Sequence, residues 1–233
     1  MIKAHISEIF SSIQGEGIYC GQRQIFIRFS GCNLSCDYCD AEQNQNSAYG
    51  DIYSVRDVIN SIKKLSFPYA LHKAVSLTGG EPLIQSEFIN KLIPELKKLG
   101  LSVYLETNGT CPDELNKVIK QIDIISCDIK LKSFTKHNIW PLQKKFLNIL
   151  NTKGKKFFLK IVFSNKLDKH EIFGILEKIA LLNIDYPICL QPVTINNVVL
   201  ADEKFTASIQ KYGLKLFKDV YVIPQVHKIL FVK

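Results

Sequence analysis

Cys32, Cys36 and Cys39 fall within one short polar segment, Gly31-Cys32-Asn33-Leu34-Ser35-Cys36-Asp37-Tyr38-Cys39-Asp40. A Cys-x3-Cys-x2-Cys spacing can hold three corners of a four-iron cluster and leaves the fourth iron without a protein ligand. An iron with an open position can bind a small molecule and act on it. That vacancy separates a catalytic cluster from a purely structural one. Structural zinc wants four protein ligands in a tetrahedron, and no fourth cysteine or histidine is near in sequence, the closest histidines being His5 and His72. A non-catalytic zinc-binding module is the contrasting class, distinguished by zinc without iron or sulfide. The remaining cysteines, Cys20, Cys111, Cys127 and Cys189, are scattered singly and read mostly as small buried apolar residues.

Other polar residues stand where chemistry could use them. Gln14-Gly15-Glu16-Gly17 could be a plain turn. Its Gln and Glu side chains could instead read the amide edge of a heterocycle as donors and acceptors. Arg28 sits among apolar neighbours, where strand alternation gives it a face shared with Phe26 and opposite Ile25, Ile27 and Phe29. It must reach solvent or find an anionic partner, either a structural carboxylate or a substrate carboxylate gripped by two hydrogen bonds. Thr78-Gly79-Gly80-Glu81-Pro82 is a glycine turn that would let backbone groups approach a ligand closely, or simply a sharp connection. Glu106, Asp128 and Lys130 occupy equivalent strand ends, with buried ion pairing as the alternative. His227 follows the last strand and, alone, reads as readily as a structural histidine.

These residues need a frame, and the hydrophobic pattern supplies one. Strands are expected at 24–29, 74–77, 101–105, 122–126, 157–163, 188–190 and 220–223. Helical stripes run over 54–65, with Ser54 as cap and Asp57 at its third position, and over 88–99, where Pro94 should kink the helix or restart it. A short helix is expected from about Asp113, and another opens at Asp168 and Glu171. Six or so β/α units imply a parallel sheet covered by helices, with the site at the C-terminal ends of the strands. At 233 residues the chain is short for eight units. The expected architecture is therefore an α/β fold, a partial, open (β/α)6-type barrel in one domain spanning residues 1–233.

No apolar run approaches the ~20 residues of a membrane span, and Met1 to Glu8 lack the apolar core of a signal peptide. Cytoplasmic residence and no membrane partner are expected. The net charge of +8 comes mostly from dispersed lysines, with no basic–aromatic pattern. That argues against a nucleic-acid partner and fits a field that attracts an anionic small molecule, or a lysine-rich composition with no function attached.

The chain resembles the radical S-adenosylmethionine (SAM) superfamily and, within it, the 7-carboxy-7-deazaguanine synthase family, over nearly its full length. The residues carrying the narrower resemblance are Ser12-Ile13-Gln14-Gly15-Glu16-Gly17, Phe26-Ile27-Arg28-Phe29-Ser30-Gly31-Cys32-Asn33-Leu34 and Gln225-Val226-His227-Lys228-Ile229-Leu230. The resemblance implies a [4Fe-4S] cluster on Cys32, Cys36 and Cys39, whose open iron binds SAM. One electron, from a flavodoxin-like donor, cleaves SAM to a 5′-deoxyadenosyl radical. The radical takes hydrogen from C6 of 6-carboxy-5,6,7,8-tetrahydropterin, the ring contracts with loss of ammonia, and the hydrogen is returned. Queuosine and related deazapurines lie downstream.

Carried over by residue, Gln14, Gly15, Glu16, Arg28, Thr78 and His227 should bind the pterin, with Lys233 closing the site. Tyr38, Cys39, Asp40, Gly80, Glu106, Asp128, Lys130 and Gln191 should lie against SAM. The family commonly has a hydroxyl residue two positions after the last cysteine, as a Mg2+ ligand. Here that position is Ala41, leaving Asp40, water and substrate oxygens to hold Mg2+. Where the family often has Pro-Ser-Ser-Gly after the equivalent of Lys130, this chain has Leu131-Lys132-Ser133-Phe134-Thr135-Lys136. A glycyl-radical-enzyme activase is the alternative reading within the superfamily. A homodimer is the default assembly.

Overall fold

The computed structural model describes residues 2–39, 42–66, 71–183 and 186–233. The chain opens with β1 (Lys3–Ile13), whose end turns through Gln14 into β2 (Arg23–Phe29), paired antiparallel to it. β3 (Asp51–Ser54) pairs with the other edge of β1 and leads into α1 (Val55–Ser66). Ser54 Oγ accepts from the Asp57 amide while Asp57 accepts from the Ser54 amide, the reciprocal cap that the sequence predicts.

The β/α units follow: β4 (Ala74–Gly79), α2 (Ser86–Lys98), β5 (Ser102–Thr107), α3 (Pro112–Val118), β6 (Ile124–Ile129), α4 (Lys132–Thr135), α5 (Trp140–Thr152), β7 (Lys156–Phe163), α6 (Lys169–Ala180) and β8 (Ile188–Pro192). A small hairpin of β9 (Thr194–Ile195) and β10 (Val198–Val199) precedes α7 (Glu203–Gly213), β11 (Val220–Val222) and α8 (Val226–Ile229).

The main sheet runs β11-β8-β7-β6-β5-β4-β2-β1-β3, and every pairing from β2 to β11 is parallel. Its edge strands, β3 and β11, do not pair with each other, so the barrel is open. One sheet gathers strands from both ends of the chain.

The seven parallel strands are those expected from the sequence, and β1 and β3 extend the sheet beyond that pattern. α5, α7 and the β9–β10 hairpin are further elements absent from that reading. α2 runs unbroken through Pro94, contrary to a restart there. β6 runs Ile124–Ile129 rather than over 122–126, and its later end puts Asp128 inside the strand. Among the described residues no helix is long and apolar enough to cross a membrane.

Alternation along the parallel strands builds the site. In β2, Ile25, Ile27 and Phe29 face the helices and are fully buried, each such side chain contributing about 1.5–3 kcal/mol. Phe26 and Arg28 face the barrel interior. Tyr104 and Phe158 point inward near the floor, where Tyr19 packs on both. Two residues further along their strands, Glu106 and Lys160 form a polar layer above them, joined by Thr78, Asp128 and Gln191.

Candidate active site

The polar layer lines a cavity of about 460 Å3 at the C-terminal ends of the strands. Cys32, Cys36 and Cys39 line one end of it; Gln14, Glu16, Arg28 and His227 line the other.

The cysteine loop is held by backbone contacts too close to admit side chains. The Gly80 amide donates to Phe29 O (3.0 Å) and the Glu81 amide to Gly31 O (2.8 Å). A Cβ on Gly80 would lie 2.1 Å from Gly31 O, and one on Gly79, at φ +129°, 2.1 Å from Phe29 O. The glycine turn therefore exists so that two strand ends can touch. Glu81, fully buried, accepts from Thr107 Oγ1 (2.8 Å), Asn108 N (2.7 Å) and Leu83 N (3.1 Å). Burial pushes its carboxyl up to about 7 despite those donors. Asn108 Nδ2 then donates to Asn33 Oδ1 (2.9 Å), inside the loop itself.

α4 occupies the stretch where the chain departs from the family pattern. Phe134 sets its ring edge-on to Tyr38, 4.6 Å between centroids, and its carbonyl accepts from the Asp37 amide (3.1 Å). Lys130 Nζ donates to Tyr38 Oη (2.8 Å) and to Asp128 Oδ2 (2.7 Å). Asp128 Oδ1 and Gln191 Oε1 are buried, line the cavity and have no partner among the described residues, as groups awaiting a ligand would.

The three thiols fit a cluster. They share one end of the cavity, and burial pushes Cys36 up to about 11 and raises Cys32, so that assembly on thiolates must release protons. Among the described residues no three His, Cys, Asp or Glu side chains converge on a single ion. Ligands to separate irons of a cluster stand further apart than that. Cys111, distant in sequence, comes within 3.7 Å of Asn33 Nδ2 beside the loop, but it does not line the cavity. Cys127 and Cys189 are buried as expected; Cys20 and Cys111 are only half-buried.

The opposite end is assembled from both termini. Gln14 Nε2 donates to Glu106 Oε1 (2.9 Å), and Gln14 Oε1 accepts from the Glu16 amide (3.1 Å). A Cβ on Gly15 would fall 2.2 Å from His227 Nδ1, while Gly15 O accepts from the Val226 amide (2.9 Å). Glu16 is ion-paired with Lys160 through Oε2 and accepts from Gln225 Nε2 at Oε1 (2.8 Å). Burial alone would raise Glu16, but Lys160 and Gln225 hold it well below the usual carboxylate range. The Arg28 guanidinium lies 5.2 Å from the Phe10 ring centroid and, among the described residues, has no carboxylate partner. Lys233 lines the cavity, its main-chain O accepting from Ser12 Oγ (2.5 Å) and its ammonium pairing with Glu8.

The radical SAM superfamily model matches residues 26–180. A 7-carboxy-7-deazaguanine synthase of Geobacter sulfurreducens is 36% identical over 245 residues, covering 97% of each chain. One of Archaeoglobus fulgidus is 35% identical over 240 residues, covering both chains completely.

This chain belongs to the 7-carboxy-7-deazaguanine synthase family of radical SAM enzymes.

The crystal structure of QueE from Escherichia coli has the same fold, with a TM-score of 0.67 at 20% identity, covering 97% of this chain and 95% of that one. For a member of this family, the cavity brings together Gln14, Gly15, Glu16, Arg28, Thr78 and His227 at one end, and Tyr38, Cys39, Gly80, Asp128, Lys130 and Gln191 at or toward the other. Glu106, attributed from the resemblance to SAM, is bonded to Gln14 and, through Oε2, to Thr78 Oγ1 (3.0 Å), two residues the same resemblance attributes to the pterin. Asp40 and Ala41, on which the Mg2+ expectation turns, lie outside the described residues. Sequence reasoning passed over Lys160, Gln225 and Phe10. Lys160 carried a signal of the same kind as Arg28, a cation in an otherwise apolar strand, Lys156–Phe163.

Proposed function

We propose that this chain contracts 6-carboxy-5,6,7,8-tetrahydropterin to 7-carboxy-7-deazaguanine with loss of ammonia, in the cytoplasm, on the route to queuosine or a related deazapurine. The reading is carried by one cavity that has three cluster thiols at one end and a heterocycle- and carboxylate-reading set at the other. Product and ammonia together account for every atom of the substrate. The reaction is redox-neutral, which suits SAM acting as a cofactor that is returned.

When bound, the cluster and SAM supply hydrogen abstraction from C6 of the pterin and return of that hydrogen. The chain's own residues bind, orient and exclude water. Arg28 is assigned the substrate carboxylate, which its planar fork matches with two hydrogen bonds. Gln14 and Glu16 take the pyrimidine edge, backed by Glu106 and Thr78, while Gly15, His227 and Lys233 close that end. Tyr38, Cys39, Asp40, Gly80, Asp128, Lys130 and Gln191 are assigned to SAM. The orphaned carboxylate oxygen of Asp128 and amide oxygen of Gln191 suit hydroxyl and amino donors. Asp40, with water and substrate oxygens, is the proposed Mg2+ holder. A low-potential flavodoxin-like protein is the proposed electron donor, and the proposed assembly is a homodimer.

A glycyl-radical-enzyme activase is not favoured, because a backbone glycine offers Arg28 no carboxylate. The test is anaerobic incubation of cluster-loaded protein with reductant, SAM and the carboxypterin. Formation of 7-carboxy-7-deazaguanine and ammonia is expected. A loaded protein that cleaves SAM yet yields no deazaguanine would remove the proposal.

A further inference from the structure

We propose that Lys160 is a positioning residue for substrate recognition, fixing the Glu16 carboxylate as a pure acceptor for the two adjacent N–H donors of a 2-amino-4-oxopyrimidine edge. This rests on the pterin reading above and adds to it the residue on which the specificity depends.

Lys160 projects from the middle of β7 and is only 8% exposed. Its ammonium pairs with Glu16 Oε2 and stands 3.4 Å from Asp128 Oδ2. Gln225 secures the other Glu16 oxygen at 2.8 Å. Each carboxylate oxygen keeps a further lone pair for a ligand. A buried carboxyl without a cation takes up a proton. Protonated, Glu16 would present one O–H donor against a donor–donor edge and mispair with it. Burial and Lys160 act on Glu16 in opposite directions, and the ammonium, aided by Gln225, prevails. The other charged or titratable groups around the pair are His227 from α8, Asp128 from β6, Lys130 just after it, Glu106 and Tyr104 from β5, Cys189 from β8 and Cys20 from the turn. All of these groups, His227 included, are present equally in wild type and in the Lys160 variants. Removing Lys160 leaves Asp128 paired with Lys130 at 2.7 Å.

The experiment measures carboxypterin affinity by anaerobic calorimetry, with cluster and SAM loaded, from about pH 8 down to about pH 5.5. It compares wild type with Lys160→Arg, Lys160→Gln and Lys160→Met. Relative to wild type, Lys160→Met should show a Kd that climbs toward roughly tenfold per pH unit below the new Glu16 pKa. Lys160→Arg should keep the wild-type profile, and adding Glu16→Gln to Lys160→Met should abolish the slope. Should Lys160→Met fail to fold, judged by iron content and SAM affinity, Lys160→Gln carries the same expectation. A Lys160→Met or Lys160→Gln profile parallel to wild type would overturn the inference. Failure of the wild type to bind the pterin at any pH would instead overturn the pterin reading.

Discussion

Glu81, fully buried beneath the cysteine loop, and Glu16, half-buried at the far end of the cavity, are carboxyls whose partners differ in kind. Glu81 is surrounded by neutral N–H and O–H donors and rises to about 7. Glu16 faces an ammonium and stays ionised. The cysteine end combines a scaffold of backbone contacts and neutral hydrogen bonds around Glu81 with one ion pair, Lys130–Asp128, beside Tyr38, and its three thiols lie close in sequence. The far end joins the Lys160–Glu16 ion pair to the neutral amides of Gln14 and Gln225, residues far apart in the chain. A radical-generating centre needs fixed geometry; a polar heterocyclic acid needs charges of the right sign. Each end suits the ligand proposed for it.

The sharpest way to separate the two ends is Cys36→Ala. It should abolish product formation and most iron binding, measured by iron and sulfide analysis, while circular dichroism stays native because Cys36 lies on the loop outside the buried core. At the other end, Arg28→Met should leave iron content and SAM affinity intact. It should weaken carboxypterin binding by about 3 kcal/mol, roughly a hundredfold, read by calorimetry. If the two variants produced the same phenotype, the division of the cavity would fail.

The smallest effect concerns Glu81. Its folded-state value, about 7, lies above the ~4.3 of an unfolded chain. The folded state therefore binds more protons between those values, and stability falls as pH rises from about 4.3 to about 7, then levels. Urea unfolding of the cluster-free wild type should show roughly 1 kcal/mol less stability at pH 8 than at pH 6 from this group. Glu81→Gln should lack that increment. Glu16 makes no such contribution in that window, since its pKa is depressed rather than raised.

Much of this was legible in sequence because the signals were local. The cysteine spacing, the alternation in Arg23–Phe29 and the Gly79-Gly80 turn each depend on neighbours a few residues away. β1 escaped notice because a register shift between Ile6 and Glu8 breaks its alternation. α5 was hidden by polar residues within its stripe, including Gln143, which is buried and donates to the carbonyls of Asn108 (2.8 Å) and Asp128 (3.1 Å). The bonds of Glu106 to Gln14 and Thr78, and the pairing of Lys160 with Glu16, join residues distant in sequence, so no local pattern announces them. Only the fold states which charges meet.

The account centres on a pterin C6 held within reach of the radical source, and isotope transfer tests that placement most directly. With carboxypterin deuterated at C6, turnover by the loaded enzyme should place deuterium in the SAM recovered afterwards, with SAM not consumed in proportion to product. Deazaguanine formed while the recovered SAM stays free of deuterium would contradict the account.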